Sequence, residues 1–244
     1  MAEYLSEFEL PSKGLVYDEA ISSHVTIRAM TTKEEKMLVG SGEESIRRIF
    51  SACIIEPKNV DINKLIIADQ HFILMKLRIV SYGKEYQVTV PCDKCAFQNK
   101  ITLDLEELPV NYLPDDFKEP IEIILPAENV IVGLRLLRFG DLIQADRKAK
   151  KFMKKGSVET GDLSFIFRLC HSIATIEGKQ PESFSAVQAF VENLIGKDSA
   201  FIHHTLSKVE VGYDVNLLES CRNCGEDIEF VLPMTSEFFR PTFD

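Results

Sequence analysis

Apolar and polar residues recur along this chain at two spacings, one typical of strands and the other of helices. Residues 24–30 and 130–137 are strand-like apolar segments. A helix is predicted to follow Thr31 and Thr32, with two glutamates in its first turn, and another is predicted from residue 140 to residue 155. The pattern therefore predicts a fold in which strands and helices follow one another.

Further apolar segments add helices and strands to this prediction. Buried helices are predicted over residues 46–55, 62–82, 163–176 and 198–209. Strands are predicted over residues 86–90, 100–105, 213–217 and 227–232. Strands 86–90 and 100–105 enclose one C-x-x-C sequence, and strands 213–217 and 227–232 enclose the other. Two hairpins are therefore expected, each with two cysteines in its turn.

The order of these elements repeats along the chain. The second C-x-x-C lies 129 positions after the first, and at the same offset Asp69 meets Asp198 and Gly83 meets Gly212. Earlier segments match at shorter offsets, IFSAC with IFRLC at 117 positions and VTIRAM with VGLRLL at 107. Such self-similarity indicates an internal duplication with extra loop residues in the second copy.

We therefore predict an α+β fold made of two homologous halves, each with a helical segment and a β zinc knuckle, joined by one shared four-cysteine zinc site. The predicted boundaries are an extended N-terminal arm (1–23), a first half (24–108), a linker (109–128), a second half (129–236) and an aromatic C-terminal tail (237–244). The linker contains prolines and many polar residues, as interdomain segments commonly do.

Charge and composition narrow the function. Acidic residues number 38 against 28 basic ones, giving a net charge of −10, which argues against a protein that binds nucleic acid through phosphate contacts. No run of about 18 uncharged apolar residues is present, so no membrane span is expected. The first ten residues are acidic and lack the apolar stretch of a secretory signal, so a reducing compartment is expected.

Four of the six cysteines form the two C-x-x-C pairs: Cys92 with Cys95, and Cys221 with Cys224. Strands before and after such a pair are typical of a zinc knuckle, and one knuckle supplies two of the four sulfur ligands of a structural zinc site. If the halves pack about a pseudo-twofold axis, the two knuckles meet and complete the set. Four cysteines leave no open coordination position, so the predicted zinc is structural.

Other interpretations of the cysteines stay open from the sequence. A thioredoxin-like redox pair would lie at a helix N-terminus, whereas strands follow both pairs here. Unliganded thiols are the third possibility. Cys53 and Cys170 lie in apolar helical patterns and are expected to be buried packing residues. Phosphate-binding loops and hydrolase or metalloprotease motifs are absent, so a non-enzyme is predicted.

The termini and one basic stretch are candidate interaction elements. The tail has two possible positions, against its own core or in a partner, and we predict a partner-binding element outside the core because aromatics and Arg dominate interface hot spots. The N-terminal arm poses the same choice. The candidate partner-binding residues are Leu10, Pro11, Phe238, Phe239, Arg240 and Phe243. The basic residues 147–155 are expected to form a solvated helix face or a docking face for an acidic partner.

Five sequence features together resemble one known family. LPSKGLVYD, RAMTTKEEKML, CDKC, CRNC and the closing FFRP, in this order, resemble the baseplate hub assembly proteins of T-even-type contractile-tailed bacteriophages. The resemblance covers residues 10–241. It implies an assembly chaperone or hub component that binds other baseplate hub proteins, without a small-molecule substrate or enzymatic activity. It also implies a location in the host cytoplasm during assembly, or in the tail baseplate of the virion.

Two other function classes remain as alternatives. The first is a zinc-ribbon adaptor of a nucleic-acid-processing complex, which a basic strip near the knuckles would favour. The basic residues near the knuckles are Lys94, Lys100 and Arg222. Three acidic residues, Asp93, Glu226 and Asp227, offset their charge, so such a strip is missing. The second alternative is a C-x-x-C thiol oxidoreductase, which insulin reduction would reveal.

Overall fold

The computed structural model of this chain describes residues 4–17, 21–38, 43–153, 164–233 and 236–239. These residues form the strands β1 (Leu5–Glu9), β2 (His24–Arg28), β3 (Ile54–Glu56), β4 (Glu85–Pro91), β5 (Gln98–Asp104), β6 (Val110–Asn111), β7 (Ile121–Ile124), β8 (Ile131–Leu134), β9 (Ile173–Ile176), β10 (Gly212–Tyr213), β11 (Asn216–Ser220) and β12 (Asp227–Val231). They also form the helices α1 (Thr32–Leu38), α2 (Glu43–Cys53), α3 (Ile67–Tyr82), α4 (Phe139–Met153), α5 (Ser164–Ser172), α6 (Phe184–Asn193) and α7 (Gly196–Ser207). The predicted α+β class is confirmed.

Two short 3-10 helices, Ile62–Lys64 and Ser236–Phe239, complete the regular elements of the described residues. No helix among those residues is long and apolar enough to cross a membrane.

Two three-stranded antiparallel sheets are built alike. The strands follow the order β1-β2-β3 in one and β7-β8-β9 in the other. Register shifts occur between Thr26 and Ile27 in the first sheet and between Gly133 and Leu134 in the second. These two irregularities lie 107 positions apart, the offset at which VTIRAM matches VGLRLL. A side chain at Gly133 would meet the Thr175 hydroxyl at 2.2 Å, so the bulge in the second sheet requires glycine.

Each sheet leads into a helix through the same pair of contacts. The Arg28 guanidinium binds the Glu34 carboxylate, which also accepts the backbone N–H of Thr31 at 2.8 Å. The Arg135 guanidinium binds Asp141 in the same way, and Asp141 accepts a backbone N–H three residues before it, also at 2.8 Å. In both cases the carboxylate satisfies an N–H at a helix start, where intrahelical acceptors are lacking.

A fully buried aspartate ties α3 and α7 to the first turn of each sheet. Asp69 accepts the Ser12 backbone N–H at 3.0 Å and the Tyr17 hydroxyl at 2.6 Å, in the connection between β1 and β2. Asp198 accepts the backbone N–H groups of Ala127 and Glu128 at 2.8 and 3.0 Å, between β7 and β8. Burial raises the pKa of Asp69, and its hydrogen bonds from the Ser12 hydroxyl, the Tyr17 hydroxyl and the Ser12 N–H oppose that shift.

The apolar residues form two main cores, one around α3 and one around α5 to α7. The first core also receives Phe139 and Ile143 from α4. An isolated antiparallel bridge joins Ile66 to Arg138 at this junction, and the Phe139 N–H donates to the Leu65 carbonyl at 2.9 Å. The start of α4 therefore docks the second sheet and its helices onto the first core.

Several predicted elements change type at their ends. Residues 54–55 and 173–176, expected to continue helices, belong instead to the strands β3 and β9, which close the two sheets. Their β-branched residues suit a strand as well as a helix, and pairing with β2 and β8 decides the outcome. Helix α6, capped by Ser183, was not predicted because the polar residues before it indicate a loop.

The predicted N-terminal arm and linker belong to the sheets. β1 pairs with β2 along its whole length, and β7, expected within the linker, pairs with β8. Leu10 is fully buried in the first core, and the buried Pro11 accepts the Leu113 N–H at 2.9 Å. Of the two positions left open for the N-terminal arm, Leu10 and Pro11 take the one in the interior of this chain, which corrects their selection as candidate partner-binding residues.

The start of the aromatic tail is also part of the core. Phe238 is 0% and Phe239 8% exposed, and their rings meet edge to face at 5.2 Å. The Phe238 ring also packs against Tyr86 at 4.9 Å, and the buried Arg78 donates to the Phe238 carbonyl at 2.9 Å. This corrects the prediction that the tail stands outside the core. The other two predicted tail residues, Arg240 and Phe243, lie outside the described residues.

Candidate metal centre

The first C-x-x-C turn joins β4 to β5. The Cys92 N–H donates to the Phe97 carbonyl at 2.9 Å, and the Ala96 N–H donates back to the Cys92 carbonyl at 2.8 Å. Ala96 takes a positive φ of 57°, which few residues other than glycine adopt. This tight turn directs both sulfurs, those of Cys92 and Cys95, to the same side of the hairpin.

The second turn joins β11 to β12 with the same hydrogen bonds. The Cys221 N–H donates to the Glu226 carbonyl at 2.8 Å, and the Gly225 N–H donates to the Cys221 carbonyl at 2.9 Å. Gly225 has a φ of 73° and lies 129 positions after the corresponding residue of the first turn. The two turns therefore share one backbone conformation, in which glycine takes the left-handed position of the second turn.

The two hairpins place all four sulfurs in one cluster. The Sγ atoms of Cys92, Cys95, Cys221 and Cys224 lie within 4.8 Å of one another. Two of these distances cross between the turns: 3.7 Å from Cys92 to Cys224 and 3.7 Å from Cys95 to Cys221. Tetrahedral zinc with Zn–S bonds of about 2.3 Å separates its sulfurs by about 3.8 Å. The cluster therefore has the size and donor set of a four-thiolate metal site.

The pKa values of two cluster thiols are shifted in opposite directions. Burial raises the pKa of Cys221, but N–H donors from Asn223, Cys224 and Asn99 outweigh it and lower the value to about 6. At Cys224 the Glu226 N–H lowers the pKa, while desolvation and the three neighbouring sulfurs raise it to about 12. The Cys221 thiolate thus forms readily, whereas the Cys224 thiolate forms only with difficulty, because negative charges accumulate on the neighbouring sulfurs unless a cation offsets them.

Two asparagines, which the sequence analysis did not single out, connect the turns. The Asn99 amide reaches the Cys221 sulfur at 3.6 Å, and the Asn223 amide reaches the Cys95 sulfur at 3.5 Å. Lys94 forms an ion pair with Glu226 across the two turns. Asn99 was detectable in principle, because it is a polar residue at an inward position of the alternating pattern of β5.

The other cysteines lie away from this cluster. Cys53 and Cys170 are buried in the first and second cores, which confirms their predicted packing role. Burial raises the pKa of both thiols to about 11, so they are unreactive. None of the six cysteines, all of them described, forms a disulfide, and both C-x-x-C turns lie between strands and not at a helix N-terminus.

The described part of the basic stretch lies on α4. Arg147, Lys150 and Lys151 are exposed there, and Lys148 packs its ammonium over the Phe184 ring. This arrangement fits a solvated helix face that covers one aromatic side chain.

Comparison with known proteins identifies the family. The family model described as T4 bacteriophage base plate protein matches residues 1–240, nearly the whole chain. The chain belongs to this family. No curated protein and no solved structure matches it.

Membership establishes a role in the phage baseplate and implies interaction with other phage proteins. It also favours a structural role over catalysis, because the family is one of baseplate components. The four-cysteine cluster adds a site that can hold a metal ion, which family membership by itself does not reveal.

Proposed function

We propose that this baseplate protein is a hub assembly protein that acts by binding other hub proteins, as an assembly chaperone or as a hub component. The family match over residues 1–240 carries the proposal, and the ordered resemblance from LPSKGLVYD to FFRP narrows it to the hub. The proposal includes no enzymatic reaction; it places the protein in the host cytoplasm during assembly and, if it is a hub component, also in the tail baseplate.

The proposal includes a structural zinc ion held by Cys92, Cys95, Cys221 and Cys224. The spacing of the four sulfurs and their N–H donors fit such an ion, and thiolates are ligands that zinc prefers. A zinc ion here would supply a cross-link between two hairpins more than 100 residues apart in the chain. Its role would be to hold the hairpins together, since four protein ligands leave no position for a substrate.

The proposal also includes an origin by internal duplication. Supporting it are the two sheets with bulges at equivalent positions, the two arginine–carboxylate contacts at helix starts, and the two buried aspartates at an offset of 129. Side chains that repeat both their position and their contact are difficult to explain by convergence of unrelated segments.

A pull-down from infected cells, followed by mass spectrometry, tests the hub role. Baseplate hub proteins should be enriched over wedge and tail-tube proteins, and parallel measurement of mature virions separates a chaperone from a component. Enrichment of wedge proteins alone would contradict the hub assignment without affecting family membership.

Elemental analysis of protein purified without added metal tests the zinc site separately. One zinc per chain is expected. Two zinc ions per chain, or none with fully reduced thiols, would contradict the shared site.

A further inference from the structure

Asn99 is a buried polar residue that is neither one of the four cysteines nor an apolar residue of the core. It is 1% exposed, on the inward face of β5, where the next inward residues are Ile101 and Leu103. At the offset of 129 that relates the two C-x-x-C pairs, its counterpart is Ile228, also buried. A buried amide where the other hairpin has an apolar side chain needs a polar partner, because an unpaired amide in the interior is costly.

The hydrogen bonds of Asn99 supply that partner, and they fix its orientation. Its Oδ1 accepts the backbone N–H of Arg222 at 2.9 Å, within the opposite C-x-x-C turn. Its Nδ2 therefore faces the other way, where it donates to the Phe97 carbonyl at 3.1 Å and reaches the Cys221 sulfur at 3.6 Å. One side chain of the first hairpin thus holds both the backbone and a sulfur of the second.

Asn223 makes the reverse contact. Its amide extends from the second turn to the Cys95 sulfur at 3.5 Å. Cys95 and Cys221 are the two sulfurs that lie 3.7 Å apart across the turns, so each sulfur of this close pair receives an amide N–H from the opposite hairpin. The two asparagines are not equivalent at the offset of 129, so the two contacts come from different positions of the two hairpins.

We propose that Asn99, with Asn223 in support, is a positioning residue of the metal centre that docks the second C-x-x-C turn onto the first and stabilises the Cys221 thiolate. The inference rests on the metal site of the proposed function and assigns it residues beyond its ligands. An N–H donor withdraws charge from a thiolate and so favours four sulfurs around one cation. The contact to the Arg222 N–H sets the distance between the turns before any ion binds.

Two substitutions at position 99 separate these roles, and one neighbour serves as control. Asn99→Leu keeps the branched shape of the side chain but removes both hydrogen-bonding groups. Asn99→Asp keeps an acceptor for the Arg222 N–H but places a negative charge beside the Cys221 sulfur. Gln98→Leu changes an exposed residue of the same strand. Asn223→Ala, also at an exposed position, tests the second donor without disturbing the core.

The measurements are the zinc affinity, by competition with a chelator, and the sulfur-to-metal charge-transfer band of the cobalt(II) form. Loss of an outer hydrogen bond to a ligand costs about 10–100-fold in metal affinity, and this fall is expected for Asn99→Leu. A larger fall is expected for Asn99→Asp and a smaller one for Asn223→Ala, with Gln98→Leu unchanged. The band should move to lower energy in all three asparagine variants, because a thiolate without its donor gives up charge more easily.

The band distinguishes positioning from mere folding, since a destabilised hairpin with intact N–H···S bonds keeps its band. If the variants at positions 99 and 223 bind zinc like the wild type and keep its band, the positioning role is overturned while the metal site stands. If the wild-type protein takes up neither zinc nor cobalt, both the metal site and this role are overturned.

Discussion

At the scale of single residues, the two C-x-x-C turns show how one backbone conformation accepts different side chains. The left-handed position is Ala96 in the first turn and Gly225 in the second. A side chain added at Gly225 meets no atom within 4 Å, so its cost lies only in the dihedral angle. For residues with a Cβ, the left-handed region costs about 1–2 kcal/mol.

Gly225→Ala is expected to lower the free energy of unfolding by about 0.5–1 kcal/mol, since reduced freedom of the unfolded chain offsets part of the strain. Gly196→Ala is the matched control, at the open first position of α7 and without a positive φ. That variant should be neutral or slightly more stable. Urea unfolding of both variants checks the difference, and equal effects would show that backbone strain is not the cause.

Cys221→Ser and Cys53→Ala test the division of the cysteines into ligands and packing residues. Structural zinc contributes on the order of 10 kcal/mol of binding free energy that is also folding free energy, so Cys221→Ser should lose the metal and much of its stability. Cys53→Ala should keep the metal and cost about 1–3 kcal/mol. Metal content and melting temperature are the measurements. A Cys221→Ser protein that keeps both is not compatible with a ligand role.

At the scale of elements, charged contacts fasten each sheet to the helix that follows it. Glu34 is 3% exposed and binds Arg28 and the start of α1 together. The Arg28 guanidinium lowers the pKa of Glu34 from 4.5 to about 2, with hydrogen bonds from Thr31 also contributing. The native state therefore favours the charged carboxylate, and its stabilising effect is complete above pH 4.5.

As the pH falls from 4.5 towards 2, this contribution to stability is expected to disappear. Glu34→Gln should cost about 2–3 kcal/mol at pH 7, and the gap to the wild type should narrow through that acid range. Chemical unfolding of both metal-free proteins across the range checks this, because removing the metal cancels the effect of thiol protonation. A gap that stays constant with pH would assign the loss to packing and not to charge.

The C-terminal 3-10 helix is a core element although it ends the described part of the chain. Phe238→Ala is expected to cost about 3–5 kcal/mol, as for other buried phenylalanines. Leu218→Ala, at a side chain 62% exposed on β11, should change stability by less than about 0.5 kcal/mol. Thermal melts compare the two variants. Equal, small effects of the two substitutions on the melting temperature would instead indicate that the tail is an exposed binding element.

At the scale of the whole molecule, the N-terminal and C-terminal parts of the described chain meet in two different ways. The four-cysteine cluster is reciprocal, with each turn contacting the other alike. The helix junction is one-sided, since Phe139 and Ile143 of α4 enter the first core. Their counterparts 107 positions earlier are Thr32 and Lys36, which are polar and cannot make the same contact elsewhere.

Removal of the metal should loosen the contact between the two C-x-x-C turns and leave the contact of α4 with the first core in place. We expect a strong chelator to lower the melting temperature by at least about 10 °C and to expose four reactive thiols. The buried Cys53 and Cys170 should react only on global unfolding. Thiol titration with and without the chelator measures this. An unchanged melting temperature with no newly reactive thiol would mean that no metal holds the turns together.

Local signals in the sequence were enough to predict several features of this protein. The α+β class, the first turns of α1 and α4, the hairpins around the cysteines and the packing role of Cys53 all follow from patterns within a few residues. The zinc prediction has the same basis, since a C-x-x-C turn between strands sets the direction of two sulfurs by itself. Short-range periodicity and turn chemistry determine such features before any distant contact forms.

Only the tertiary structure decided which distant surfaces cover each other. The end of α2 becomes β3 because β2 offers it a pairing edge, and the aromatic tail is buried because Arg78 and Tyr86 provide a place for it. Asn99 gains its partner, the Arg222 N–H, only when a turn more than 100 residues away meets it. A sequence pattern shows that a face is apolar, but the partner of that face is set by packing across the whole molecule.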